Sequence, residues 1–445
     1  MTRDETVALF LQGREAWNAW AERALAERKA IVGDGFWVAE TSAAGYLAPK
    51  NAKTRAWVEA AQADFSRCLF GPHNTPQNKD AGGEESVDPS VKLMVIDAGK
   101  IDFRGFIFPG DTNFSGTTFT SRADFANAAF MTARFRSVTF AGTADFFGAS
   151  FAGRADFGSA SFMAARFRSA SFSAAADFRS ATFGGIADFD SVNFGSDAFF
   201  GSATFEHATS FGSVKFSRQA SFAGMKTERS FTMKGAVFSE LPAFNQAEFK
   251  QATDFDDVQF PLPGFWQTGR RGAIAEYRAL RRVAIQGGSY ERQHFAFKGE
   301  LRSRRWTMDK PWHAGFWFGL LYDGIADCGR SIMRPLFVWL LSLAAFAACY
   351  LSIAGVPLSD WQGACDGSAA LKWEKAASLS LSSGLPLIAG SRSEETRSFY
   401  ACVSQAVQQA DIPLSTTALQ ILQLLVSAAL IFLSLLALKN RYKIK

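Results

Sequence analysis

The chain has 445 residues, enough for two or three domains, and a formal charge of +5, too small to point to nucleic acid by itself. The five cysteines (Cys68, Cys328, Cys349, Cys365, Cys402) are scattered, which argues against a disulfide scaffold, and none forms the CxxC pair of a zinc site. Phe accounts for 45 residues, an excess concentrated in one stretch, which signals a repeat rather than a generally aromatic protein.

The start, MTRDETVALF, lacks the charged lead and apolar core of a secretory signal, so the N-terminal part is expected in the cytoplasm. Residues 5 to about 30 read as one amphipathic helix, with Val7, Leu9, Phe10, Trp17, Trp20 and Leu25 on a broad face. It belongs to a helical cap region spanning 1–62; a partner-binding helix is the alternative. ADFSRCLF at 63–70 looks like an isolated repeat unit, cut off by a polar Gly- and Pro-containing insertion at 71–90.

From Phe103 to Phe222 phenylalanine recurs every five or six residues. Of the 22 steps nine are six long, and all nine fall on alternate steps, so the true unit is about eleven residues of the form ADFxxATFxxx. Neither helix nor strand periodicity produces this. The residue two before each Phe is small (Ala123, Ala128, Ala133, Val138), as a narrow tube filled by phenyl rings requires. After Phe222 the pattern weakens through a nine-residue step to Phe231, then resumes from Phe238 to Phe260.

These residues resemble the pentapeptide-repeat family in its Phe-centred ADF/ATF variant, over roughly 101–260. The resemblance implies a right-handed quadrilateral β-helix with four repeats per coil, here a solenoid domain over 63–262. About seven coils at ~4.8 Å give a rod ~34 Å long, whose open ends need caps. Counting four steps at a time predicts surface columns: Asp102, Asp124, Asp145, Arg166, Asp188 and Ser210, and beside it Asn113, Arg134, Asp156 and Asp177. Arg166 is expected to relieve the carboxylate repulsion locally, and the Asp residues are read as small polar groups tolerated at an exposed position.

Residues 263–311 form a basic linker; 264–310 hold eleven Lys/Arg against four Asp/Glu. Ile274, Tyr277, Leu280, Arg281 and Ala284 have helical spacing, Gly287-Gly288 breaks it, and a second helix runs from about Tyr290 to Arg305. Arg278, Arg281, Arg282, Arg302, Arg304 and Arg305 are expected at anionic lipid headgroups.

The remainder, 312–445, reads as an α-helical two-span membrane domain. An interfacial helix (312–329) presents Trp312, Phe316, Trp317, Leu320 and Leu321. Spans follow at 335–356 and 414–438, flanked by Arg330 and Arg334 and by Lys439, Arg441, Lys443 and Lys445. By the positive-inside rule both basic ends are cytoplasmic and the loop 357–413 is periplasmic, in a bacterial inner membrane. In that oxidising compartment Cys365 and Cys402 are candidates for a disulfide, with free thiols as the alternative. Residues 375–391, apolar and too short to span twice, are a re-entrant candidate.

Span, dipping loop and span resemble the layout of two-span cation channels, although the potassium filter TVGYG is absent. Pore candidates are Ser382, Ser383, Gly384, Leu385 and Pro386 in the dipping loop, and Gln420, Gln423 and Ser427 on a polar stripe that also includes Ser434. Packing between helices is the alternative for the stripe. The arrangement as a whole is similar to uncharacterised bacterial pentapeptide-repeat membrane proteins.

Phosphate-loop, dinucleotide, HExxH and GxSxG motifs are absent, so no enzyme activity, catalytic residue, metal or cofactor is expected. The reading is a homo-oligomeric, ion-channel-like membrane protein with a cytoplasmic rod for sensing or assembly; its partners are membrane lipid and copies of itself. The alternative is a membrane-tethered scaffold whose rod binds a cytoplasmic protein. Family resemblance also raises a DNA-mimic role at gyrase, but residues 101–260 carry 14 Lys/Arg and 16 Asp/Glu, net −2, too neutral to imitate DNA. Nucleic acid itself is not an expected partner.

Overall fold

The structure is a computed structural model describing residues 1–41, 47–71, 94–96, 101–265, 272–309, 311–365, 370–385, 392–403 and 413–442. It has two compact units, Met1–Ser303 and Arg304–Lys445.

The first unit is a parallel β-solenoid of about seven turns. Short strands pair with strands 21 or 22 residues away, as in Ala123 with Ala144 and Ala133 with Ala155. That spacing is four repeat steps. It stacks each Phe on the Phe one coil away: Phe135 on Phe157 at 4.9 Å and Phe157 on Phe178 at 4.8 Å, both within 2° of parallel. Columns two steps apart, facing each other across the coil, meet edge to face, as Phe146 meets Phe157 at 5.5 Å and 85°. Both arrangements place the ring edge or an offset face against the π-cloud, the favourable orientations for aromatic pairs.

Alternate corners are chemically different. At Phe125, Phe146 and Phe157 the chain makes a tight turn: the N–H three residues on donates to the Phe carbonyl (Ala128 to Phe125, 3.1 Å). The residue two after Phe has positive φ, as at Asn127 (57°), Gly148 (64°) and Ser159 (55°). Such a turn needs a left-handed third residue, which Gly adopts freely and Asn tolerates. The other corners carry the variable step. Where it is five residues, the strand runs straight through, as in Ala129–Arg134; where it is six, the extra residue is a bulge, as in Ile107–Asn113, whose pairing with Ala129–Arg134 shifts register after Phe130.

The weak stretch after Phe222 does not interrupt the coil. Thr227 occupies the Phe column between Phe205 and Phe249, and Phe231 occupies the small inward position between Thr209 and Thr253. A large and a small residue have exchanged places, so the interior volume is nearly conserved. The early unit at 63–70 is likewise part of the stack, with Phe65 on Phe114 at 4.8 Å and Phe70 on Phe119 at 4.9 Å. Of the polar insertion, 72–90 lies outside the described residues.

Helices close both ends. The expected N-terminal helix is two, α1 (Arg3–Leu11) and α2 (Arg14–Gly33), because Gly13 sits at φ 91°. Phe10 stacks on Phe103 at 4.6 Å, and Trp17 donates to the Ile107 carbonyl at 2.8 Å. The short α3 (Ala52–Ala61) packs Trp57 against α2. At the other end α4 (Ala273–Gln286) buries Ala273, Tyr277, Leu280 and Val283 in the same core as the phenyl rings. It meets α5 (Tyr290–Thr307) closely: a Cβ on Gly299 would lie 2.3 Å from the Tyr277 ring.

The second unit begins in the last turn of α5. It contains α6 (Ala314–Ala326), α7 (Met333–Ile353), α8 (Lys372–Gly384), α9 (Arg392–Val403) and α10 (Leu414–Tyr442). Over Met333–Ile353 and Leu414–Lys439, α7 and α10 are long and apolar enough to cross a membrane, with mean hydropathies of 2.2 and 2.6. α8 packs against α7, α9 and α10. Its core joins Ala347, Tyr350 and Leu351 of α7 to Ala376 and Leu379 of α8 and Phe399 of α9.

The swap at Thr227 and Phe231 is testable. Thr227→Phe alone should overfill the core and destabilise the full-length protein by about 1–3 kcal/mol. Adding Phe231→Thr, which restores the regular repeat, should recover most of that loss in denaturant melts. Equal loss in the single and double variants would refute the exchange.

Candidate functional site

On the solenoid the charged columns pair as counted: Asp102, Asp124, Asp145, Arg166, Asp188, Ser210, and Asn113, Arg134, Asp156, Asp177. The role of their carboxylates differs from the expectation. Asp124, Asp145, Asp156 and Asp177 are buried, and each accepts the backbone N–H two residues on (Asp124 from Ala126 at 3.1 Å, Asp156 from Gly158 at 2.9 Å). They fasten the tight turn after the Phe, as Asx side chains do. Repulsion is relieved mainly by other arginines than Arg166, which is 3.8 Å from Asp145. Arg122 bridges Asp124 (3.2 Å) and Asp145 (2.7 Å), and Arg154 and Arg179 hold Asp177 at 3.0 and 2.5 Å. Burial alone would raise the Asp177 carboxyl, but the hydrogen bonds and charge of Arg179, with Arg154, outweigh it and hold it below the usual range. Burial raises Asp111 instead, with the Arg134 charge offsetting only part. This surface is internally neutralised.

The basic helices are only partly free for lipid. Arg278 and Arg281 lie 2.6 and 3.9 Å from Glu300, and Arg282 is exposed. Arg302 donates to the Pro263 carbonyl at 2.9 Å and lies over the Phe265 ring. Arg304 pairs with Asp309 at 3.4 Å. Arg305 corrects the headgroup reading outright: it is 1% exposed, bonded to Asp323 (0% exposed) and to the Gly319 carbonyl, both at 3.0 Å. A buried guanidinium needs such a partner, since an unpaired one would carry the full desolvation penalty. The helix expected over 312–329 is shorter, Ala314–Ala326, with Phe316 buried and Trp317 and Leu321 exposed; Trp312, also exposed, lies before it.

In the second unit the polar stripe of α10 faces inward. Gln423 accepts from the Tyr350 hydroxyl of α7 at 2.7 Å and donates to Ser380 of α8, to its carbonyl at 2.8 Å and its Oγ at 2.7 Å. Ser380 donates to the Leu343 carbonyl of α7 at 2.8 Å. Gln420 donates to Thr396 of α9 at 2.9 Å. Within one chain, then, Gln420, Gln423, Ser427 and Ser434 are buried and do not line an open path. Interhelical bonding explains Gln420 and Gln423, whereas Ser434 donates to the Leu430 carbonyl of its own helix and the Ser427 Oγ has no hydrogen-bond partner among the described residues. Ser382 and Ser383 are buried too, Leu385 ends the helix half-exposed, and Pro386 lies outside the described residues. At Gly384 an added Cβ would lie 2.6 Å from Leu343 and 3.1 Å from the Ser427 Oγ, so α8 touches both long helices there. Tyr350, Ser380 and Thr396 were missed in the sequence, because their roles depend on partners 24 to 73 residues away.

Cys365 and Cys402 are bonded to each other, with Cα atoms 4.7 Å apart. Among the described residues no group of His, Cys, Asp or Glu could hold a metal ion.

Two outcomes follow from these geometries. Gln423→Leu strands the Tyr350 hydroxyl and frees α8, and should cost about 1–3 kcal/mol in detergent melts and speed amide exchange in α8; unchanged exchange would show that the bonds are idle. Asp177→Asn keeps a turn cap but loses the ion pairs. Because the native carboxyl titrates below its unfolded value, its contribution is present above about pH 4 and lost as pH falls below. The variant should therefore be less stable by about 1 kcal/mol at pH 7 and approach wild type in acid.

Residues 103–150 match the family model described as pentapeptide repeats, with nine copies. No curated protein matches the chain, and no solved structure does. The chain thus carries pentapeptide repeats, wound into a phenylalanine-cored solenoid, with two helices beyond them long and apolar enough to cross a membrane.

Proposed function

We propose that this is a homo-oligomeric, ion-channel-like integral protein of a bacterial inner membrane, with a right-handed quadrilateral rod on the cytoplasmic side for sensing or assembly. One observation carries the reading: α8 ends halfway along a spanning helix. Ser380 bonds to Leu343, the middle residue of α7 (Met333–Ile353). α9 then runs back beside α8, with Glu395 at the level of Ser378 and Ser398 at that of Lys375. A helix that enters to mid-depth and returns is tolerated in a bilayer only where protein or water covers its end.

Several features support this. Arg330 precedes α7, Arg334 lies in its first turn, and Lys439 and Arg441 close α10, which by the positive-inside rule puts both ends in the cytoplasm and 357–413 in the periplasm. The Cys365–Cys402 bond suits that compartment. The C-terminal end of α8 carries partial negative charge, which at mid-depth favours cations over anions. Because the stripe on α10 is buried within the chain, the path would be walled by the end of α8, as far as Leu385, of several copies.

A second reading, a tethered scaffold without a pore, is favoured by that same burial of the stripe. Cross-linking in native membranes together with cation flux in proteoliposomes separates the two. Oligomers that conduct, and lose conduction on Gly384→Leu, support the channel; a non-conducting monomer overturns it.

A further inference from the structure

At the C-terminal end of the solenoid unit, cationic charge exceeds what its neighbours neutralise. Arg278, Arg281 and Arg282 occupy positions i, i+3 and i+4 of α4, so they share one side of the helix. With Asn245 of the coil and Glu300 of α5 they border a cavity of about 560 Å³. Glu300 approaches Arg278 at 2.6 Å and Arg281 at 3.9 Å. The Arg281 guanidinium lies over the Phe297 ring at 5.0 Å, and its buried Nε has no hydrogen-bond partner among the described residues. Arg282 is exposed and has no acidic partner among them. Three guanidinium groups against one carboxylate leave two positive charges in excess. Like charges at this helical spacing repel, and an oxyanion would offset that cost. Glu300 already shows an oxyanion bridging two of the arginines. A phosphate group offers more acceptor oxygens and more charge, and suits the planar guanidinium fork.

We propose that this cavity binds a phosphate-bearing anion, with Arg281 and Arg282 as its recognition residues and Glu300 as an internal competitor for Arg278. The same chemistry is presented by a soluble phosphate compound and by the headgroup of an anionic phospholipid. The site lies within the first unit and does not depend on whether the second unit conducts.

The test uses the full-length protein in phosphatidylcholine nanodiscs, titrated calorimetrically with inorganic pyrophosphate. In parallel, amide exchange of α4 is compared between phosphatidylcholine and phosphatidylglycerol discs. A soluble ligand predicts pyrophosphate binding that Arg281→Gln/Arg282→Gln weakens about tenfold or more and Glu300→Gln strengthens. A headgroup ligand predicts protection of α4 in phosphatidylglycerol alone, lost in the double variant. Arg282→Gln, at an exposed position, keeps the comparison valid if the double variant misfolds. Absence of both effects, or a response equal to wild type in these variants, overturns the proposal.

Discussion

Most strands of this parallel β-solenoid are two residues long, too short to hold a sheet together by backbone bonding alone, so its interior must be filled by something that repeats with the coil. Here that filler is the phenyl ring. Rings stack at 4.5 to 5.0 Å along much of each column, close to the distance between paired strands, so ring stacking and backbone pairing reinforce one register. The small residue two before each Phe follows from the remaining space. So do the end caps, since the terminal rings would otherwise face water. Phe10 and Trp17 cover one end, and Tyr277 and Leu280 join the core at the other.

The same constraint explains the surface. Each tight corner leaves an N–H just outside the ring, and at many of them a short carboxylate one residue before the Phe satisfies it. Placing such a residue on successive coils puts carboxylates within one strand spacing of each other. Long arginines from neighbouring positions then become necessary: Arg122 reaches two aspartates, and Asp177 draws on two arginines. The charges of this rod are therefore largely a consequence of its turns. The cluster on α4 stands apart, because its arginines serve no turn.

In the second unit the burial of polar groups sets the rules. Gln423 in the middle of an apolar helix would be costly if left unpaired, and its three bonds to Tyr350 and Ser380 remove that cost while holding α8 against α7 and α10. Gly384 permits the approach that makes those bonds short enough. Gln420 and Gln423, which look like a pore lining when α10 is drawn as a lone helix, thus fasten α9 and α8 to it.

Local periodicity was enough to reveal the eleven-residue repeat and both apolar helices, because each depends on spacing along the chain; the solenoid, its four-step coil and hence the column partners of Asp145 and Asp156 came from the family resemblance that the repeat carries. The tight turns left a signal that the expectation for the Asp residues missed: Gly, Asn or Ser recurs two residues after alternate phenylalanines, and an Asp before the ring accepts the N–H of the residue after it. Other features were decided only by tertiary structure. Phe231 could take the place of a small residue because Thr227 left room one corner away. Arg305 could be buried because Asp323 waits on another helix. Gln423 turned from water to Ser380 because α8 returns to lie beside it. Spacing along a chain dictates a repeating register, whereas these side chains answer to partners that only folding brings within hydrogen-bond reach.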